Sequence, residues 1–563
     1  MTQKQIETRK GFFLVLVLIV VAVATMAVYS FTELMLAYDD SAYLANDIVQ
    51  SRVNVESGAE TVRLILSQPP ETRVDFGGLY NNTQMFQAVT VSTGDDGVTP
   101  SNFSILAPSI DERGMFGGLR FGLQNESARL NINTLTILEK NSAALIPALA
   151  VAGDAAQDVD ATNIAASLLM ALPGMTEDVA DAIMDWLDED DEVRAYGAES
   201  GDYNVLATPY SAANGPLQSV EELLLVRGVT PTLLFGADVN RNGVIDADEQ
   251  QRFGIGIDTP GALGWAAYLT VQGAEANKRR DGLPRVNVNQ DDLELLYEEL
   301  SEALGNDTYA TFIVAYRIAG QSTSITSALA SGQEVSTGGQ DSNQPNSDLQ
   351  ANANGQAQNG GPWTPELLEQ LDLTGGGGTS LNQILDLVDA TVTVGQGDNA
   401  RSYTSPFPSD LISMSLYMPV LMDSLTTQDV AVMPGRINLN QCPAELLYGI
   451  PLLSEEVVQA ILENREAESD DLNRQFETWP LVEGIVTLTE MRTLVPLITG
   501  GGDVYRAQIV GYFETNGASH RAEVIIDATT VNPKIVSWRD LSHLGRGFDL
   551  SVLGQRSAAT LTQ

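Results

Sequence analysis

Cysteine is nearly absent: Cys442 is the only one in 563 residues, which excludes an internal disulfide framework and any cysteine-rich zinc site. Histidine is almost as scarce. His520 and His543 both lie near the C-terminus, so a histidine relay would have to use that pair, and two surface histidines are the plainer expectation. Positive charge is short as well. Against 74 Asp and Glu stand 30 Lys and Arg, a formal net charge of −44 that repels nucleic acid and anionic headgroups. No Gly-x-Ser-x-Gly elbow, P-loop or His-Glu-x-x-His pair occurs, so no enzyme is expected. Apolar residues, by contrast, make up 44% of the chain, too many for general disorder and enough for several domains of about 150 residues.

Only one long hydrophobic run exists. Residues 12–32 carry no charge, and as a helix rising about 1.5 Å per residue they just span a hydrocarbon core of about 30 Å. Lys4, Arg9 and Lys10 precede the run while Glu33, Asp39, Asp40 and Asp47 follow it, which keeps the short tail cytoplasmic. A cleaved signal with a site such as Ala22-Val-Ala24 is the alternative, but the run exceeds the 7 to 15 residues of such a segment. Apolar residues then recur at helical spacing: Leu34, Tyr38, Ala42, Ala45 and Val49, then Val55, Ala59, Val62 and Leu66. Pro69-Pro70 stops the pattern. One helix from Phe12 to about Ser67 follows, about 80 Å long, half in lipid and half on a globular body.

A basic leader ending Arg9-Lys10-Gly11, then Phe12 and an unbroken apolar helix, resembles the class III signal of type IV pilins and pseudopilins. The resemblance implies cleavage between Gly11 and Phe12 by prepilin peptidase. Most members carry glutamate at the fifth mature position. Here that position is Leu16, a departure that resembles the minor pseudopilin K (GspK) family of type II secretion.

A short pattern occurs three times, as Arg129-Leu-Asn-Ile-Asn133, Arg285-Val-Asn-Val-Asn289 and Arg436-Ile-Asn-Leu-Asn440. Each reads as a short strand handing over to a helix, with Asn133, Asn289 and Asn440 as the expected caps. Paired helices are expected after each copy: 163–171 with 176–187, 293–304 with 309–318, and 444–448 with 454–464. Later helices at 219–226, 381–387 and 476–482 complete each unit. Such hairpins resemble helix-hairpin-helix modules, but Gly174-Met175-Thr176 lacks the second glycine of a backbone-gripping turn and Ile450-Pro451-Leu452 lacks both. Glu177, Asp178, Asp181 and Asp185 crowd the surface a phosphate would approach, so protein-binding or structural modules are expected and nucleic acid is not.

The strongest local motif is D-V-N-R-N-G-V-I-D-A-D-E at 238–249, which matches an EF-hand loop at each defining position. Calcium is the expected ligand. Asp238, Asn240 and Asn242 supply side-chain oxygens, Val244 its carbonyl, Asp246 a direct or water-borne contact and Glu249 a bidentate closure. Gly243 makes the turn and Ile245 packs inward, although the short upstream segment 230–235 also resembles a single dockerin-like loop. A second acidic group, Asp185, Asp188, Glu189, Asp190, Asp191 and Glu192, ends the helix carrying Trp186, where the helix dipole disfavours anions. Calcium drawn in with Glu199 and Asp202 would offset it, and so would plain solvation.

Asp185-Trp-Leu-Asp188, Gly197-Ala-Glu199, Tyr203, Pro209-Tyr210, Ala213-Asn-Gly-Pro216 and Ser219-Val-Glu-Glu-Leu223 through Val226-Arg-Gly228 are similar to the pseudopilin K core. The resemblance implies an α+β fold: a long N-terminal transmembrane helix, a pilin-like antiparallel β body, and a large inserted helical domain with helix-hairpin-helix-like repeats. It implies calcium binding in that domain, with Asp188 and Glu199 involved. The β body is expected from both chain ends, from 86–92, 103–106 and 119–125 early and 505–513, 521–527 and 534–539 late.

The expected organisation is a leader (1–11), the helix (12–68), the first part of the β body (69–134) and a first helical domain with the EF-type loop (135–283). The second repeat begins at 284–320, is interrupted by a Gly/Ser/Asn/Gln-rich linker (321–361) and finishes at 362–435; a third repeat (436–500) and C-terminal strands with a tail (501–563) follow.

The expected function is that of a minor pseudopilin capping or initiating the pseudopilus tip and supporting export across the outer membrane. Its implied partners are minor pseudopilins of the I, J and H types, the major pseudopilin, prepilin peptidase and inner-membrane lipid, with the ectodomain periplasmic. The alternatives are a calcium-dependent pilus adhesin or scaffold, raised by the EF-type loop and linker, and a membrane-anchored DNA-uptake receptor, raised by the hairpins and opposed by charge.

Overall fold

In the computed structural model, residues 10–92, 100–140, 164–256, 259, 261–320, 358–395, 400–451, 453–514 and 517–554 are described. Residues 1–9 of the leader, 321–357 of the expected linker and the tail from 555 lie outside them. Helix α1 runs from Lys10 to Leu66, about 85 Å at 1.5 Å per residue. No proline interrupts it, and it stops where Pro69 and Pro70 withdraw two backbone donors. Among the described residues it is the one helix long and apolar enough to cross a membrane.

The expected apolar stripe on α1 is buried only in its second half. Val55, Ala59, Val62 and Leu66 are at most 1% exposed, whereas Leu34, Tyr38 and Val49 are 53%, 65% and 62% exposed. The difference has a simple origin: the body begins at the level of Ser51, so among the described residues nothing covers the earlier ones.

The body is a seven-stranded antiparallel sheet built from both ends of the sequence. Its strands are β1 (Val89–Ser92), β2 (Ser101–Ile110), β3 (Phe116–Phe121), β4 (Gln124–Asn125), β5 (Val504–Phe513), β6 (Ser519–Asp527) and β7 (Lys534–Asp540). The order is β1-β2-β5-β6-β7, with β3 on β2 and β4 on β5. The central seam sets Ile105 opposite Ile509 and Phe103 opposite Gly511. Phe103, Ile105, Ile509, Val524 and Ile526 alternate onto the face that α1 covers with Val55, Ala59 and Val62. His520 is not the surface residue expected, because Ser542 Oγ lies 2.9 Å from its Nδ1 and its side chain is 11% exposed.

The helical insert uses the three repeats alike. Leu130–Asn131 pairs in parallel with Leu269–Thr270, Val286–Asn287 with Leu425–Thr426, and Ile437–Asn438 with Ile498–Thr499. The expected caps need correction. It is the first asparagine, at 131, 287 and 438, that accepts the N–H two residues on, the local bond a short Asn side chain reaches most readily. The second asparagine is thereby left for a distant partner. Asn133 donates to Leu217 O and accepts from Leu217 N, Asn289 does the same with Leu381, and Asn440 accepts from Trp479 Nε1.

Helix pairs follow each copy: Ile164–Met170 with Glu177–Leu187, Leu293–Leu304 with Asp307–Ala319, and Ala444–Tyr448 with Glu455–Asn464. Of the later segments only Trp479–Val482 is α-helical. Val220–Leu225 and Ile384–Leu387 are 3₁₀ turns, the form that short helical pieces commonly take. Residues 358–359 of the expected linker pair with Arg401–Ser402 as an edge strand.

The helix-on-sheet contact is tight at one glycine on each element, Gly58 of α1 and Gly511 of β5. A Cβ at Gly58 would meet Ile509 Cγ2 at 2.8 Å, and one at Gly511 would run into the Ser51 carbonyl of α1. Gly511→Ala is expected to lower stability by about 1–3 kcal/mol through overpacking. Urea unfolding of the full chain in detergent checks this, with Gly361→Ala, which meets no atom within 4 Å, as the neutral control.

Candidate functional site

Two clusters of oxygen donors lie in the insert. The first is loop 238–249, held between the short helices Pro231–Phe235 and Ala247–Phe253. Ile245 is buried with Ala237, Ala262 and Leu263, which pins the loop from beneath. Asp238 Oδ1 and Oδ2 accept from Asn242 N at 3.1 Å and Gly243 N at 2.9 Å. That turn needs the φ of +81° that glycine supplies. Glu249 Oε1 accepts from Val239 N at 2.8 Å, and its Oε2 accepts from Asp246 N at 3.0 Å, closing the twelve-residue loop on itself. Asn240 and Asn242 turn their amide Nδ2 groups to Asp246 Oδ2, at 2.6 and 3.1 Å.

Burial, with Glu249 close by, pushes Asp238 up to about 7 despite the N–H of Gly243. Removing two carboxylates from water without a cation costs free energy, so the set is built to gain from a positive charge. Among the described residues no three His, Cys, Asp or Glu side chains form a metal group by themselves. The loop's capacity for a hard cation therefore depends equally on the amide oxygens of Asn240 and Asn242 and the carbonyl of Val244.

The loop also sits on the sheet. Gln508 Nε2 on β5 donates to Arg241 O at 2.7 Å, the buried Arg521 on β6 donates to Asn240 O, and Asn242 Nδ2 donates to Gly547 O at 2.7 Å. Nothing in the sequence pattern of the loop announces these partners, because they lie some 270 to 300 residues away in the chain.

The second cluster surrounds the C-terminal end of helix Glu177–Leu187. Asp185 is fully buried, and Arg194 clamps it: Nη1 donates to Asp185 Oδ1 at 2.7 Å and also to Asp188 Oδ2, while Nη2 reaches Glu139 at 2.9 Å. Arg194 is the cation that the acidic helix end calls for, and sequence reading missed it because only the fold returns the loop. Asp188 Oδ1 and Glu199 Oε1 are buried with no hydrogen-bond partner. Burial first, then Asp185, Asp188 and Asp191, pushes Glu199 up to about 7. Asp202 does not join them. Its Oδ2 accepts from Glu199 N at 3.1 Å in a capping box, and its side chain is 46% exposed. Residues available to hold a cation here are thus Asp188 and Glu199, with Asp202 acting on the backbone.

Gly11 and Phe12 lie in the first turns of α1, far along the chain from either cluster. Leu16 is 47% exposed, as are its apolar neighbours to a similar degree.

Residues 128–235 match the family model described as Type II secretion system (T2SS), protein K. That stretch holds the first repeat, the clamp of Arg194 and the helix before the EF-type loop. Among solved structures, the chain is similar to one from the crystal structure of the GspK-GspI-GspJ complex of the enterotoxigenic Escherichia coli type 2 secretion system. Identity is 11% and the TM-score 0.33, over 89% of this chain and 98% of that one. No curated protein sequence matches the chain.

Arg194→Ala would leave Asp185 buried without its cation. The expected loss is about 3 kcal/mol, the usual cost of breaking a buried pair on one side. Denaturant unfolding reads it, and the Arg194→Lys variant, which keeps the charge but not the fork, is expected to fall between.

Proposed function

We infer that this chain, with a type II secretion protein K domain over residues 128–235, is a minor pseudopilin whose work is assembly rather than turnover. The observation that carries the reading is that this domain is inserted in a sheet body that packs on a single long helix with an exposed apolar half. Residues 12–32 hold the subunit in the inner membrane with the body in the periplasm, in keeping with the basic leader before the span and the acidic residues after it. Prepilin peptidase cuts between Gly11 and Phe12. The exposed residues Leu34, Tyr38 and Val49 continue the apolar face of α1 beyond the span, a surface suited to the helices of neighbouring minor pseudopilins of the I, J and H types and of the major pseudopilin. The insert is bulky enough to obstruct a subunit above it, which supports a place at the tip.

Deletion of the gene is expected to trap exported proteins in the periplasm, with recovery by the full chain, while mass spectrometry of the N-terminal peptide finds a chain beginning at an N-methylated Phe12. Normal export in the deletion strain overturns the reading.

Calcium is the cation we propose for loop 238–249, through Asp238, Asn240, Asn242, Val244, Asp246 and Glu249, and for the Asp188–Glu199 pair. Support comes from the twelve-position loop pattern and from the buried carboxylate oxygens of Asp188 and Glu199 that lack a partner. Its part would be structural: a bound divalent ion offsets buried negative charge and holds the insert on the sheet. For chelator-treated protein, calcium at about a hundredfold excess over Kd is expected to add about 2.7 kcal/mol per site. Calorimetric titration is expected to show two sites, of which Glu249→Gln removes one and Glu199→Gln the other. Heat equal to that of magnesium would refute the assignment.

A further inference from the structure

We propose that the cavity between the C-terminal end of α1, residues 278–285 and the third repeat is a binding site for an acidic peptide segment. The cavity holds about 380 Å³, within the range of ligand sites, and Arg73, Lys278, Arg280 and Arg285 line it. In a chain with 74 acidic residues to 30 basic ones, four cations would be expected to find carboxylates at close range, yet among the described residues none of the four makes an ion pair, and Asp503 attracts Arg73 and Arg285 only from farther off. Lys278 Nζ donates only to Thr529 O, at 3.2 Å, and Arg285 Nε to Asp423 O, at 3.2 Å. Arg73 donates to Gln68 O at 2.9 Å and Leu66 O at 2.8 Å, and it also meets Tyr505. Arg280 makes its one hydrogen bond through the backbone N–H, to Asp423 Oδ1 at 2.9 Å, which leaves the guanidinium uncommitted.

The carboxylates facing the same space are all engaged. Arg436 takes Glu275 at 2.6 Å and Glu477 at 2.9 Å, Leu79 N donates to Glu468 at 2.6 Å, and Ala276 N donates to Asp503 at 2.7 Å. Asp423 accepts from Arg280 N, and Asp281, outside the lining, pairs with the lining residue Arg279 at 3.0 Å. Glu275 and Glu477 are thus neutralised by Arg436, while the guanidinium of Arg280 makes no ion pair among the described residues.

The repeats sharpen the point. Arg285 and Arg436 open equivalent copies of one pattern, and Arg436 is gripped by two glutamates while the Arg285 side chain hydrogen-bonds only a carbonyl among the described residues. The second copy thus presents an arginine with no close carboxylate among the described residues, only the more distant attraction of Asp503. Leu66, Met422 and Phe476 add apolar wall, which suits the side chains of a peptide better than a hydrated phosphate. A net charge of −44 also repels a polyanion at long range, so the ligand class is a short segment with a few carboxylates.

The test is fluorescence anisotropy of a labelled tetraglutamate peptide against the full chain in detergent. Binding is expected, weakening about tenfold or more in Arg280→Ala and further in Arg280→Ala/Arg285→Ala, and weakening as salt rises from about 0.05 to 0.5 M. A tetraglutamine peptide is expected not to bind. Because the Arg280 side chain holds no other group in place, Arg280→Ala is expected to keep the melting midpoint, and Arg280→Lys to retain part of the binding. No binding at millimolar peptide, equal binding by the variants, or displacement by equimolar inorganic phosphate would each overturn the proposal. The assay needs neither export nor leader cleavage, so the site goes beyond the pseudopilin reading and can fail while that reading stands.

Discussion

The pairing of β2 with β5 is the constraint on which the rest of the molecule depends. Gln508 to Phe513 lies antiparallel to Leu106 to Ser101, and about 400 residues of chain are enclosed between the two strands. Closing so long a loop sounds prohibitive. The entropy of closure nonetheless grows only with the logarithm of length, about 0.6 kcal/mol for each doubling, so a large insert costs little more than a modest one. What secures the seam is the face it offers to α1, where Ile105, Ile509 and Phe103 meet Val55, Ala59 and Val62. Helix and sheet therefore define each other: without α1 the seam exposes its apolar face, and without the seam the lower half of α1 has no cover.

Between insert and sheet the contact combines an apolar patch, where Phe116 meets Tyr268, with a set of buried ion pairs. Glu126, fully buried before the first repeat, receives Arg506 of β5 at 2.6 Å and the hydroxyl of Thr270. Burial alone would raise its pKa, but Arg506 and Arg129 hold it down to about 2. Arg506 also pairs with Glu523 at 2.9 Å, and Arg539 ties Glu221 of the insert to β7. Buried pairs of this kind add little net stability over apolar packing but punish any misplacement of one partner. They fix where the insert sits on the body, which the apolar patch around Phe116 alone would leave less defined.

Much of this was legible in the sequence where the signal is local. The break at Pro69-Pro70, the strands at both ends, the paired helices and the loop at 238–249 each carry their cause within a dozen residues, in periodicity, turn residues or a ligand pattern. The features that sequence reading missed are those whose second half lies far away. Asn133 looks like a cap because Leu217, its true partner, is 84 residues distant. Arg194 looks like one more exposed charge beside an acidic run until the fold returns it to Asp185 and Asp188. The stripe on α1 is a middle case. Its period was visible throughout, but periodicity marks a face and not what covers it, so Leu34 to Val49 and Val55 to Leu66 read alike and end in different surroundings.

The three repeats show how one local solution is put to unlike ends. In each, a short parallel pairing and an asparagine bridge set the frame, which depends on backbone and amide groups and, in the third copy, on the Trp479 indole N–H, but not on the leading arginine. The leading arginine is then free to vary in its partner. Arg129 donates to Gln124 at 2.7 Å beside the Glu126 network, Arg436 is locked between Glu275 and Glu477, and Arg285 hydrogen-bonds a carbonyl with Asp503 attracting it from farther off. The first two arginines are consumed in joining the insert to itself and to the sheet. The frame does not need the third, which hydrogen-bonds only a carbonyl beside Lys278 and Arg280, so the repeat least engaged in the internal architecture is the one with charge to offer a partner.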